Sequence, residues 1–216
     1  MKKFFRNLSI FTAAVCVLVF SIGWTARHNI NLGEFIKEIT AINVKGNQMQ
    51  SAIWLPFEFN ARTAGSQSAD DVSILKSYLI FMVQCTTDAG SSQTQEQIKT
   101  RAILKNTSSA ILRPLAAIPA ELSPRLDAIK AAMAADKNMY FLVFDSKDAS
   151  GKDIIESSKR EKLTLVLQPA GLFDRTEFVW RTPFDATTDA GVCPKCSEKI
   201  KAMWNYCPWC GTPLPK

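Results

Sequence analysis

Apolar residues in this chain recur in short bursts with two different periods. Residues 39–44 alternate apolar and polar side chains up to the turn signal Lys45-Gly46-Asn47, and residues 52–59 resume as a second, aromatic-rich run. This pattern predicts a β-hairpin. Residues 72–83 form a nearly continuous apolar stretch interrupted by Lys76, which fits a buried strand or a short core helix equally well. Residues 93–106 and 123–137 have helical spacing. The second of these opens on Ser123-Pro124, a cap followed by proline at the first helical position, with Leu126, Ile129, Ala132 and Met133 on one side. Residues 139–144, 163–168 and 177–182 are rich in β-branched and aromatic side chains and read as strands. The body, residues 38–185, is therefore expected to be α+β: a mixed sheet or β-sandwich interrupted by a helical insertion.

A different pattern precedes the body. Residues 1–7 carry Lys2, Lys3 and Arg6, and residues 8–24 then contain no charge. At about 1.5 Å per residue the run reaches roughly 25 Å, and Thr25 and Ala26 can extend it to a transmembrane anchor over residues 8–26. Trp24 suits an interfacial position. The basic flank places the N-terminus in the cytoplasm and the body outside it, as a single-pass signal-anchor protein. The alternative is a secreted protein released by signal cleavage, for which Ser21-Ile22-Gly23 is the best site available. Cys16 lies in the middle of the run, where a lipid-attachment cysteine would not stand.

Composition narrows the chemistry. The chain has 216 residues, a formal net charge of +6 and one histidine. That histidine, His28, sits just past the apolar run, so the body has none for a Ser-His-Asp triad, a Cys-His pair or a multi-histidine metal site. Asp145, Asp148, Asp153 and Glu156 imitate part of a calcium loop, but Lys147 and Ala149 occupy positions that need oxygen ligands. A solvated hairpin loop is the expectation there. Asn106-Thr107-Ser108 is formally a glycosylation acceptor. Cys85 follows an apolar run and reads as a small core residue. No motif in the body points to catalysis, and none is expected.

The chemistry-bearing residues lie at the C-terminus. Residues 186–192 are small and polar and read as a linker. Beyond them, within residues 193–216, come Cys193-Pro194-Lys195-Cys196 and, ten residues later, Cys207-Pro208-Trp209-Cys210-Gly211. Two residues between cysteines let a tight turn present both thiolates to one ion. Two such knuckles complete a tetrahedron at zinc–sulfur distances of about 2.3 Å. Residues 202–206 read as a strand returning between the knuckles. The motif C-P-K-C…C-P-W-C-G-T-P-L, over residues 192–214, resembles the zinc-ribbon family of four-cysteine modules. It departs from the family at Ser197, where glycine often follows the first knuckle. The resemblance implies one structural Zn²⁺ held by Cys193, Cys196, Cys207 and Cys210. Disulfide pairing, or C-x-x-C redox chemistry, stays open as an alternative.

Four cysteines fill the metal's coordination sphere, so the site is expected to stabilise the module and not to activate water. Trp209 and Lys195, at the knuckle tips, are candidate contacts for a protein partner. In the plainer alternative Trp204 and Tyr206 cover the module's core and Trp209 packs on the body. Lys195, Lys199 and Lys201 superficially suit nucleic acid. A zinc–tetrathiolate centre of charge −2 leaves the module close to neutral, which argues against that partner. The expected function is a membrane-anchored accessory or scaffold protein working by protein–protein contact. The alternatives are a membrane-tethered thiol–disulfide protein using Cys207 and Cys210, and a cytoplasmic nucleic-acid-binding ribbon.

Overall fold

The computed structural model describes residues 32–57, 74–87, 90, 92–108, 110–132, 138–187 and 191–214. The elements of its first half are α1 (Leu32–Ile39), β1 (Thr40–Lys45), β2 (Gln48–Leu55), β3 (Tyr78–Thr87), α2 (Gln95–Arg101), β4 (Ala102–Lys105) and β5 (Ile111–Leu112). They are followed by α3 (Ser123–Ala132), β6 (Met139–Asp145), β7 (Glu161–Leu167), β8 (Thr176–Thr182), a 3₁₀ turn (Asp185–Thr187), β9 (Gly191–Val192) and β10 (Lys199–Ile200).

The body is strand-rich, and all of its ladders are antiparallel. One four-stranded sheet has the order β1-β2-β3-β6 and the other β5-β4-β7-β8. The expected hairpin is present, with Lys45 opposite Gln48 and Gly46 at φ 58° as the first residue of the two-residue turn. The two sheets share an aromatic core. Trp54 on β2 meets Trp180 on β8 at 6.3 Å, and Phe81 on β3 lies 5.2 Å from Trp180 and 5.7 Å from Phe144. Such aromatic contacts add to the area they bury, and truncating any one of these rings would leave a cavity costing about 3–5 kcal/mol.

The ambiguous apolar stretch resolves as strand. Residues 74–76 make one helical turn, closed by Ser77 N–H to the Ile74 carbonyl at 3.1 Å, and β3 then runs between β2 and β6. Pairing on both edges and burial on both faces explain why its sequence does not alternate. The helix expected over residues 93–106 is shorter. A capping box formed by Thr94 and Gln97 starts α2, which stops at Arg101. Residues 102–105 instead pair with β7, because Ala102, Ile103 and Leu104 are buried by that ladder. β3 and β6 are neighbours, yet the segment between them is not the helical insertion expected. It crosses to the second sheet as β4 and β5 before returning through α3.

The body begins at α1, earlier than residue 38. Phe35 packs edge-on against Phe184 at 5.2 Å, and Trp180 Nε1 donates to the Ile39 carbonyl at 2.8 Å. Among the described residues no helix is long and apolar enough to cross a membrane. The run read as an anchor, residues 8–26, lies outside the described residues.

Two expectations at the C-terminus need correction. Gly191 and Val192 pair with Ile200 and Lys199, so they belong to the module and not to a linker. Residues 202–206 form no strand; they turn, with Trp204 N–H on the Lys201 carbonyl at 3.1 Å. The hairpin brackets the first knuckle and does not join the two. A side chain at Gly191 would meet Ile200 Cγ1 at 3.3 Å, so that tight pairing suits glycine.

Candidate metal centre

The two knuckles are built alike. In the first, Ser197 N–H bonds to the Cys193 carbonyl at 2.9 Å and Cys193 N–H to the Glu198 carbonyl at 2.8 Å. In the second, Gly211 N–H bonds to the Cys207 carbonyl at 2.9 Å and Cys207 N–H to the Thr212 carbonyl at 2.9 Å. The residue that closes each turn is left-handed: Gly211 at φ 70° and Ser197 at φ 58°. Ser197 thus adopts a backbone conformation that ordinarily favours glycine, but with a Cβ.

The knuckles bring four sulfurs together. Cys193, Cys196, Cys207 and Cys210 have all their Sγ atoms within 4.8 Å of one another. Two contacts of 3.6 Å run between knuckles, Cys193 to Cys210 and Cys196 to Cys207. Metal–sulfur bonds of about 2.3 Å in a tetrahedron give an edge of about 3.8 Å, whereas a disulfide needs about 2.05 Å. All four are free thiols, so the donor set fits a metal ion. Cys193, Cys207 and Leu214 form a small core with Ile200 and Trp204 packed against it.

The thiols differ in basicity. Thr212 holds Cys210 down to about 6, its hydroxyl lying 3.2 Å from the sulfur and its N–H directed at it. The Cys196 and Lys195 N–H groups lower Cys193. At Cys196 the Glu198 N–H pulls down, but burial and the three neighbouring thiols together push the group up to about 12. Like-charge crowding of this kind is relieved when a cation replaces the protons.

The module is seated on the body by its inter-knuckle turn. Asp185 accepts from Ala202 N–H at 2.9 Å and pairs with Lys201 at 3.3 Å. Arg160 donates to the Ala202 carbonyl at 3.0 Å and to Asn205 Oδ1 at 2.8 Å. Glu38 on α1 accepts from Asp185 and Ala186 N–H, both at 3.2 Å, and burial holds its carboxyl above the usual range. The candidate contact residues lie outside the small core. Trp209 is 56% exposed and rests edge-on against Trp204 at 5.5 Å, and Lys195 is exposed. Tyr206, expected as a possible cover for the core, is 64% exposed; Trp204 takes that role.

Elsewhere the residues weighed in the sequence have plain roles. Cys85 is buried, and burial pushes its thiol up to about 12, beyond nucleophilic use. Asp148 closes its loop on itself by accepting from the N–H groups of Ser150 and Lys152. The Asn106 amide is committed to the Ile154 carbonyl at 2.9 Å, and its oxygen to Ala110 N–H at 3.0 Å. One polar centre has no sequence motif to announce it. Arg101, 4% exposed, donates to Gln168 and Asp174 carbonyls and to the Gln93 and Gln50 side chains, with Phe173 under the guanidinium. These neutral oxygens solvate the buried cation in place of water.

No protein-family model and no curated protein matches the chain. Among solved structures, a DUF4426 family protein from Pseudomonas aeruginosa is similar at 10% identity and a TM-score of 0.32, over 67% of this chain and 93% of that one. A likeness at that score carries no argument. The four-cysteine cluster, a group that could hold a metal ion, therefore stands on its own geometry.

Proposed function

We propose that this protein is a membrane-anchored accessory or scaffold protein whose C-terminal module is a zinc ribbon, and that it works by contact with a partner protein and not by catalysis. The observation that carries the reading is the convergence of four thiols on one point. Bound there, the metal would supply cross-linking between the two knuckles, with every coordination position taken by Cys193, Cys196, Cys207 and Cys210. An all-thiolate tetrahedron suits zinc or iron, and the ten-residue spacing between the knuckles, that of the zinc-ribbon motif the sequence resembles, favours zinc. A module of this size has too small a core to fold without such a link. Its exposed residues, Lys195 among them, are left for a partner. The tether is the uncharged run of residues 8–24, with the body outside the cytoplasm.

The test is a metal and thiol assay on the purified full-length chain. The expected result is one zinc per chain, with four thiols that react with a thiol reagent only after chelation. Turnover of a disulfide substrate by Cys207 and Cys210 would contradict the reading and favour the redox alternative. Recovery of the chain in the aqueous phase after alkaline extraction of membranes would contradict the anchor.

A further inference from the structure

We propose that the sandwich stands on the membrane by its ribbon end, with Tyr206 and Trp209 seated in the headgroup zone of the bilayer that holds the chain's own N-terminal run. This rests on the anchor reading and goes beyond it by assigning a lipid-facing surface.

Between Trp24 and the start of α1 at Leu32 there are eight residue steps, which span at most about 28 Å when fully extended. Two contacts fix α1 beside the ribbon's seat. Phe35 packs on Phe184, and Glu38 takes the N–H groups of Asp185 and Ala186. Asp185 in turn holds Lys201 and Ala202 of the ribbon. α1, into which the tether leads, and the ribbon therefore share one end of the sandwich. The Gly46 turn and Leu172 lie at the other, beyond the far ends of β1 and β8.

The chemistry of the ribbon end suits lipid. Tyr206 and Trp209 are both more than half exposed, and Trp204 backs the Trp209 ring. Side chains with an apolar body and one polar edge favour the water–hydrocarbon boundary. Lys199 is exposed in the same module and reaches lipid phosphates without burying charge. Because a metal-loaded ribbon is close to neutral, the contact is aromatic and holds on zwitterionic lipid. Trp209 thus belongs to the bilayer, and Lys195 is left for the protein partner.

The experiment uses the full-length, zinc-loaded chain in phosphatidylcholine nanodiscs containing a headgroup-spin-labelled phosphatidylcholine, with tryptophan fluorescence as readout. Trp54 and Trp180 are buried in the sandwich, which leaves Trp24, Trp204 and Trp209 to be quenched. Trp209→Phe is expected to remove about a third or more of the quench, and Tyr206→Trp to increase it, with zinc content unchanged in both. If Trp24→Phe removes the entire quench while both ribbon variants leave it unaltered, the anchor stands and the lipid contact is overturned. If Trp24→Phe changes nothing and the chain does not enter the discs, the anchor reading fails as well.

Discussion

Ser197 and Thr212 decide how well the knuckles hold an ion. Ser197 takes a left-handed φ that costs a residue with a Cβ about 1–2 kcal/mol, partly offset by the lower unfolded-state entropy of serine relative to glycine. Ser197→Gly is therefore expected to stabilise the ribbon by about 0.5–1 kcal/mol, and Gly211→Ala to destabilise it by about 1 kcal/mol. A Cβ at Gly211 meets nothing within 4 Å, so backbone strain alone would act there. Chelator competition on the two variants checks the opposite signs. Thr212→Val removes the hydroxyl beside Cys210 and should weaken metal binding about tenfold. The pH dependence follows from the same contacts. With Cys210 at about 6 and Cys196 at about 12, binding above pH 6 displaces a proton from Cys196 but none from Cys210. Below pH 6 it displaces one from each. The slope of log affinity against pH should steepen by about one proton below pH 6, and Thr212→Val should move that break upward. The ligands were legible in the sequence because C-x-x-C spacing is itself the local geometry of a knuckle. The left-handed serine was visible only as a departure from the family pattern.

At the level of elements, Arg101 and the ribbon's seat carry the predictions. Arg101 ends α2 and collects oxygens from β2, from the segment before α2 and from the loop before β8. Arg101→Ala would strand those buried acceptors and should destabilise the body by about 2–3 kcal/mol in urea unfolding, with zinc content unchanged. The seat should behave in the converse way. Asp185→Ala with Arg160→Ala removes the side-chain ties to the inter-knuckle turn. Faster proteolysis between residues 187 and 191 is expected, without loss of the metal. Strand positions were readable where one face is dry and the pattern alternates, as in β8, or where a ladder buries both faces, as in β3; β1 alternates as well, although its Ile42 and Val44 are exposed. The end of α2 was not, because Ala102, Ile103 and Leu104 fit a helix as readily as a strand until β7 supplies hydrogen-bond partners. The same limit hid the Arg101 centre, since its oxygens come from distant parts of the chain.

For the whole molecule, the two sheets form one packed body with the four-cysteine module at one end. Trp54, Phe81 and Trp180 lock the sheets together, and α1 brings the chain that leads back to residues 8–26 to the ribbon's side. The body has no histidine, and its one cysteine, Cys85, is buried. The proposed role is one of contact. That role depends on the four thiols serving one ion, and X-ray absorption at the zinc edge of the full-length protein tests this most directly. The prediction is four sulfur scatterers at about 2.3 Å with no nitrogen or oxygen in the first shell. A shell with three or fewer sulfurs and a light atom, or thiols recovered as disulfides with no zinc bound, would contradict it.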